Sequence, residues 1–299
     1  MPPEFNPSYQ SPDWAWWIVL YFFFGGLTGG IYFTAAWLDL FGDEGDRPLL
    51  RVAHLLAFPL LLVCAVLLIV DLGQPLRFWH MIFQSERFPL PMFKPYSPMS
   101  FGSAILALFG AVAFLSFADA LLMRGRLLHA PGSPLGKVLS ILGAIGGLAL
   151  AGYTGTLLNV TNEPVWADSP WISALFLLSG VSTGIALLLL LARRVSPLTH
   201  AKLAEVDNYI MIFELVTLVL FLLTLGALGV RFILATPVAI LFAVVIVLGL
   251  LVPLALQWRA ARRLAAGPHA TATLASVLVL IGGFVLRWAV LAAPQGIGL

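Results

Sequence analysis

The chain has 299 residues, 61% of them hydrophobic and only 10% charged, with a formal net charge of +2 and a mean hydropathy of +1.00. Its length would accommodate two soluble domains, but long uncharged stretches of this composition exclude them and indicate a multi-span membrane protein. The small net charge gives no electrostatic footprint for nucleic acid, because the basic residues follow membrane topology.

A spanning helix takes about 20 mostly apolar residues. Eight are expected, near 14–40, 51–71, 100–123, 138–160, 170–192, 207–229, 236–257 and 271–292. The first is read as retained, since residues 1–12 lack a basic n-region and the apolar run behind them reaches spanning length. Basic residues gather in the odd-numbered connections: Arg47, Arg51, Arg124, Arg126, Lys137, Arg193, Arg194, Lys202, Arg259, Arg262 and Arg263. The remaining places hold Arg77, Arg87, Lys94, Arg231 and Arg287. The positive-inside rule therefore puts the odd connections in the cytoplasm and both termini on the periplasmic, outer side.

The first span carries Tyr21 about two turns below its outer end, the run Gly25-Gly26-Leu27-Thr28-Gly29-Gly30-Ile31, and Asp39 at its inner end. The second holds His54, Pro59 and the single cysteine, Cys64, and ends at Asp71. A carboxylate at the membrane rim needs a partner, a wet pocket or a function; Arg77 is the nearest ion-pair candidate. One cysteine excludes an iron–sulfur cluster held by this chain alone, and haem is disfavoured because only His54 lies well inside a span. Cys64 reads as a small packing residue. The connection at 72–99 is long and rich in Pro and aromatic residues, and with the Glu163–Asp168 connection it forms a docking face on which Arg77, Phe88, Phe93 and Trp166 are candidate contacts. Insertion among lipid headgroups is the competing reading of its apolar residues.

The fourth span ends in Tyr153, Thr154, Thr156 and Asn159. The fifth repeats the first in outline, Ser179-Gly180-Val181-Ser182-Thr183-Gly184-Ile185. This echo suggests two parallel four-helix halves, 1–160 and 161–299, although small residues four apart also serve plain helix contacts. The sixth span begins with Glu205, Asp207 and Glu214, the last two on one helical face. Pro59 and Pro253 should each kink a span, and Arg287 lies near the outer end of the eighth.

Polar residues thus sort into two depths. In the outer half Asp71, Tyr153, Tyr21 and Asn159 are groups able to hydrogen-bond the carbonyl oxygens of a ring and move protons to them. Asp39, His54, Asp207 and Glu214 form an inner set suited to a proton path. A secondary transporter is the competing class, motivated by the repeat and the inner carboxylates, but the middle of the spans is almost wholly apolar.

Five stretches carry a resemblance: Trp17 to Gly30, Asp71-Leu72-Gly73-Gln74-Pro75-Leu76-Arg77-Phe78, Ser97-Pro98-Met99-Ser100-Phe101-Gly102, Tyr153-Thr154-Gly155-Thr156-Leu157-Leu158 with Pro164-Val165-Trp166, and Ser179 to Gly184. In these the chain resembles the NrfD/PsrC membrane subunits of bacterial respiratory oxidoreductases. The resemblance implies a multi-pass anchor in the bacterial cytoplasmic membrane that binds quinone (menaquinone or ubiquinone) in its first half. It would exchange electrons with a ferredoxin-like iron–sulfur subunit and thence a catalytic subunit, often molybdopterin-dependent, and carry no haem or iron–sulfur cluster itself. It also implies that Tyr153 contacts a quinone ring oxygen. The family's histidine falls here on Tyr21, its asparagine on Ile18 and its membrane glutamate on Gly73, two residues beyond Asp71.

Overall fold

Every expected span is helical in the computed structural model, which describes residues 14, 16–84, 88–191, 197–234, 236–262 and 269–295. Arg87, Arg193, Arg194 and Arg263, used above to orient the chain, lie outside the described residues. Helix α1 (Trp16–Phe41) is joined by a 3-10 turn, Glu44–Asp46, to α2 (Arg47–Asp71), and α3 (Pro98–Leu122) and α4 (Pro134–Asn159) follow. The second half comprises α5 (Ile172–Leu191), α6 (Pro197–Leu223), a short α7 (Ala227–Leu234), α8 (Thr236–Val244), α9 (Val252–Arg262) and α10 (His269–Gln295). Eight of these segments are long and apolar enough to cross a membrane, the seventh being Pro237–Trp258.

Start signals account for the boundaries. Ser97 caps α3 by accepting from Ser100 N at 3.4 Å, and Ser133 caps α4 by accepting from Gly136 N at 3.2 Å. In both cases the next residue is a proline, whose missing N–H costs nothing in the first turn. Pro197 likewise opens α6 ten residues before the expected start, because Thr199 to Glu205 continue the helix as a polar extension. Helix α2 stays continuous through Pro59. Around Pro253, by contrast, the seventh span changes hydrogen-bond pattern: Val245–Leu251 is a π-helical stretch linking α8 to α9. A proline four residues on cannot bond the Gly249 carbonyl, and the wider turn adapts the ladder to that loss.

Helix α1 is the centre of the molecule, packed against α2, α4, α5 and α10. The glycine run explains how one helix touches so many others. Gly29 meets Gly147 of α4, while Gly26 and Gly30 meet Gly180 and Gly184 of α5. A Cβ built on Gly147 would lie 2.9 Å from the Gly29 carbonyl oxygen, and one on Gly180 would lie 2.9 Å from that of Gly26. The echo between the first and fifth spans is therefore also a direct helix contact of the small-residue kind. Two apolar clusters fill the remainder, one around Phe22, Trp166, Phe176 and Phe221, the other around Ile31, Tyr32, Leu49 and Phe109.

Candidate functional site

At the end of the bundle that carries the 72–97 connection, Tyr153 and the start of α3 form one unit. The Tyr153 hydroxyl donates to the Pro98 carbonyl at 2.7 Å, and its ring lies against Gly102, where any side chain would collide with it. Pro98 and Gly102 are thus placed by a tyrosine 55 positions from the first of them. Tyr21 is buried on α1 beside Gly25 and Thr154.

Tyr153 also lines a groove of about 400 Å³ between α3, α4 and α5. Phe101 and Ile105 form one wall, Ala174 and Leu177 the other, and Leu148, Ala149 and Gly152 the floor. At its Tyr153 end stand two hydroxyls, Thr156 Oγ1 and Ser173 Oγ, 3.0 Å apart.

Other expected members of this set sit elsewhere. Asp71 is the exposed last residue of α2, and no ion pair joins it to Arg77 among the described residues. Gly73, where the resemblance puts a glutamate, has φ of +71°, a left-handed conformation that ends α2 and favours glycine. Asn159 is a structural clamp: with its amide nitrogen turned inward it donates to the carbonyls of Trp166 at 2.7 Å and Ser169 at 2.9 Å. Trp166 does not belong to an exposed docking face. It is fully buried, donates Nε1–H to the Val290 carbonyl at 2.7 Å, and stacks on Trp14 at 5.1 Å. Phe88 and Phe93 are exposed, as are Leu76, Leu90 and Tyr96 around them. Their connection is fastened down by Met92 N to Ile82 O at 2.7 Å and by Lys94 N to Ser100 Oγ at 2.9 Å.

The inner set divides between two places. In the first half, Asp39 Oδ2 faces His129 Nδ1 at 3.0 Å and accepts from Ser140 Oγ at 2.7 Å, and Arg47 lies 3.5 Å from Asp39 Oδ1. His129 Nε2 is 3.1 Å from Ser116 Oγ, which is 2.7 Å from the Tyr32 hydroxyl. The His54 ring lies 4.3 Å from that of His129, and its Nε2 is buried with no hydrogen-bond partner among the described residues. His129, Ser116 and Tyr32 escape a linear reading because His129 sits in a connection. Asp119 draws it inward by accepting from Leu127 N at 3.1 Å and His129 N at 3.0 Å. The one linear clue is Gly143, whose missing side chain makes room for the Tyr32 ring.

In the second half, buried Asp207 accepts from Ser182 Oγ at 2.8 Å and Gln257 Nε2 at 3.0 Å. Glu214 lines a narrow enclosed crevice with Ser179, Thr183, Gly283 and the π-helical Val245 and Gly249. Arg287, expected near the membrane edge, is fully buried beside it. Its guanidinium donates to Gly283 O at 2.7 Å, Phe22 O at 2.9 Å, Ser179 Oγ at 3.1 Å and Phe176 O at 3.2 Å, joining α10 to α1 and α5.

The family described as Polysulphide reductase, NrfD matches residues 5–297. The chain belongs to that family. Similar curated proteins include Protein NrfD of Escherichia coli, 28% identical over 61% of this chain and 60% of that protein. Protein NrfD homolog of Haemophilus influenzae is 27% identical over 98% of both sequences. The C subunit of polysulfide reductase from Wolinella succinogenes is 28% identical over 60% of this chain and 58% of that one. Among the described residues of this NrfD-family protein, no three His, Cys, Asp or Glu side chains gather as a metal site.

Proposed function

We propose that this NrfD-family protein is the quinone-binding membrane subunit of a multi-subunit respiratory oxidoreductase in the bacterial cytoplasmic membrane. Both termini and the 72–97 connection face the outer side, a placement supported by the distribution of Lys and Arg. The observation that carries the reading is the membrane-facing groove of about 400 Å³ ending at Tyr153, on the same end of the bundle as the exposed Phe88 and Phe93. Apolar walls with a few converging polar groups suit a ring with two oxygens and a long apolar tail. A bound quinone supplies two-electron chemistry coupled to two protons. Tyr153, whose own hydroxyl proton is held by the Pro98 carbonyl, orients a quinol hydroxyl by accepting from it, Tyr21 supplies a second phenol on the neighbouring α1, and Asp71, exposed at the rim, exchanges protons with water. An extrinsic iron–sulfur subunit docks over Arg77, Phe88 and Phe93 and passes electrons on to a catalytic subunit. The name of one relative, a subunit of polysulfide reductase, supports membership of such an assembly.

Replacing Tyr153 with phenylalanine in the intact complex is expected to lower quinone-coupled turnover about tenfold or more, the effect of deleting one hydrogen-bonding group in an apolar site. Dye-linked activity of the extrinsic subunits should persist. Full retention of coupled turnover would refute the assignment.

The relay of hydrogen bonds from Asp39 through His129 and Ser116 to Tyr32 favours a second reading, in which electron transfer drives protons across the membrane. Under it, Asp39→Asn should abolish proton movement in proteoliposomes while electron transfer continues. If both continue unchanged, the cluster is structural.

A further inference from the structure

We infer that the groove between α3, α4 and α5 is the lateral entry by which quinone leaves the bilayer, with the Thr156–Ser173 hydroxyl pair as its first polar contact. The inference rests on the quinone-binding reading above and assigns a path and two residues to it. Thr156 is exposed on α4 and Ser173 stands in the first turn of α5, so both hydroxyls face the groove near the membrane surface. Unsatisfied hydroxyls facing hydrocarbon are costly. These two bond each other at 3.0 Å, and Thr156 Oγ1 lies 3.2 Å from the Gly152 carbonyl. One arrangement sends the Ser173 proton to Thr156 and the Thr156 proton to Gly152, leaving oxygen lone pairs to accept from a quinol hydroxyl. The reverse points Thr156 at Ser173 and frees the Ser173 proton for a quinone carbonyl. The pair therefore serves both redox states by rotating two hydroxyls.

From that polar end the groove descends past Gly152 and Ala149 to Leu148 and Ile105, about two helical turns toward the bilayer middle. That direction matches an amphiphile whose ring is polar and whose tail belongs among lipid acyl groups. Its floor is small: a Cβ on Gly152 would meet Leu177 only in ordinary contact, at 3.5 Å, so the space is open rather than closed by helix packing.

The test uses the full-length protein in lipid nanodiscs with menaquinone-4 and decylubiquinone as probes, read by quenching of tryptophan fluorescence. Trp171, two residues before Ser173, is partly exposed and near enough to report. Ala149→Phe and Ala174→Phe, which fill the groove, should each weaken binding at least tenfold. Thr156→Val combined with Ser173→Ala should weaken it about threefold to tenfold. Circular dichroism confirms folding, and if one bulky variant fails to fold, the other and the hydroxyl pair decide. Unchanged binding in the folded variants, with the native protein binding, would mean that the groove holds a lipid tail, and would overturn the entry path alone. A native protein that binds neither probe would overturn the function proposed above with it.

Discussion

Replacing Arg287 with methionine is expected to destabilise the protein by about 3 kcal/mol or more, because each buried acceptor left without its donor costs about 1–3 kcal/mol. The guanidinium is fully buried and bonds three backbone carbonyls and one hydroxyl. Among the described residues, the carboxylate within its electrostatic reach is Glu214, and both adjoin Ser179. Without Arg287 a Glu214 carboxylate would stand in an apolar interior with no opposite charge beside it among the described residues. Adding Glu214→Gln should therefore recover part of the loss, with a coupling of about 0.5–3 kcal/mol. Denaturant unfolding of the two single variants and the double variant in detergent measures it. Strictly additive losses would mean that Arg287 acts only through its carbonyl bonds and not as the counterion of Glu214.

The second large effect is steric. Leucine at Gly30 should prevent assembly of the bundle, a loss of more than about 3 kcal/mol, because overpacking here meets main chain rather than a side chain able to rotate. A Cβ at that position would lie 2.8 Å from the Gly180 carbonyl carbon and 2.9 Å from Val181 Cα. Gly45, with nothing within 4 Å, is the matched control and should accept alanine at little cost. The yield of folded protein by gel filtration checks both. Normal yield of the Gly30 variant would mean that α1 and α5 can separate without penalty.

The eight helices could be read from hydropathy because lipid exposure keeps outward faces apolar, but α3 and α4 start at Pro98 and Pro134, ahead of the expected 100 and 138, because Ser97 and Ser133 cap polar first turns that hydropathy does not register. Tyr153 stood out as a polar residue in the last turns of an apolar helix. Its dependence on Pro98 and Gly102 was not legible, since the pairing joins positions far apart in the sequence. Trp166 and Asn159 looked like surface and ligand residues because a short polar connection ordinarily faces water. Here the connection folds back, and the tryptophan plugs the space between Trp14 and α10. His129 was missed for the same reason: what buries it is a carboxylate ten residues earlier that binds its backbone N–H.

The central position of α1 has a consequence for biosynthesis. Its glycine faces are shaped for α4 and α5 rather than for lipid tails, and its hydropathy, 1.6, is the lowest of the eight candidate spans. Ribosomes make α1 before α4 and α5, so more than a hundred residues must follow it before the faces it is built to meet exist. During that interval α1 sits in the bilayer with its grooves filled by solvent lipid or held by the insertion machinery. The glycine contacts of α1 are then completed by displacement of those temporary neighbours when α5 arrives, which makes α1 an early-inserted but late-docked helix.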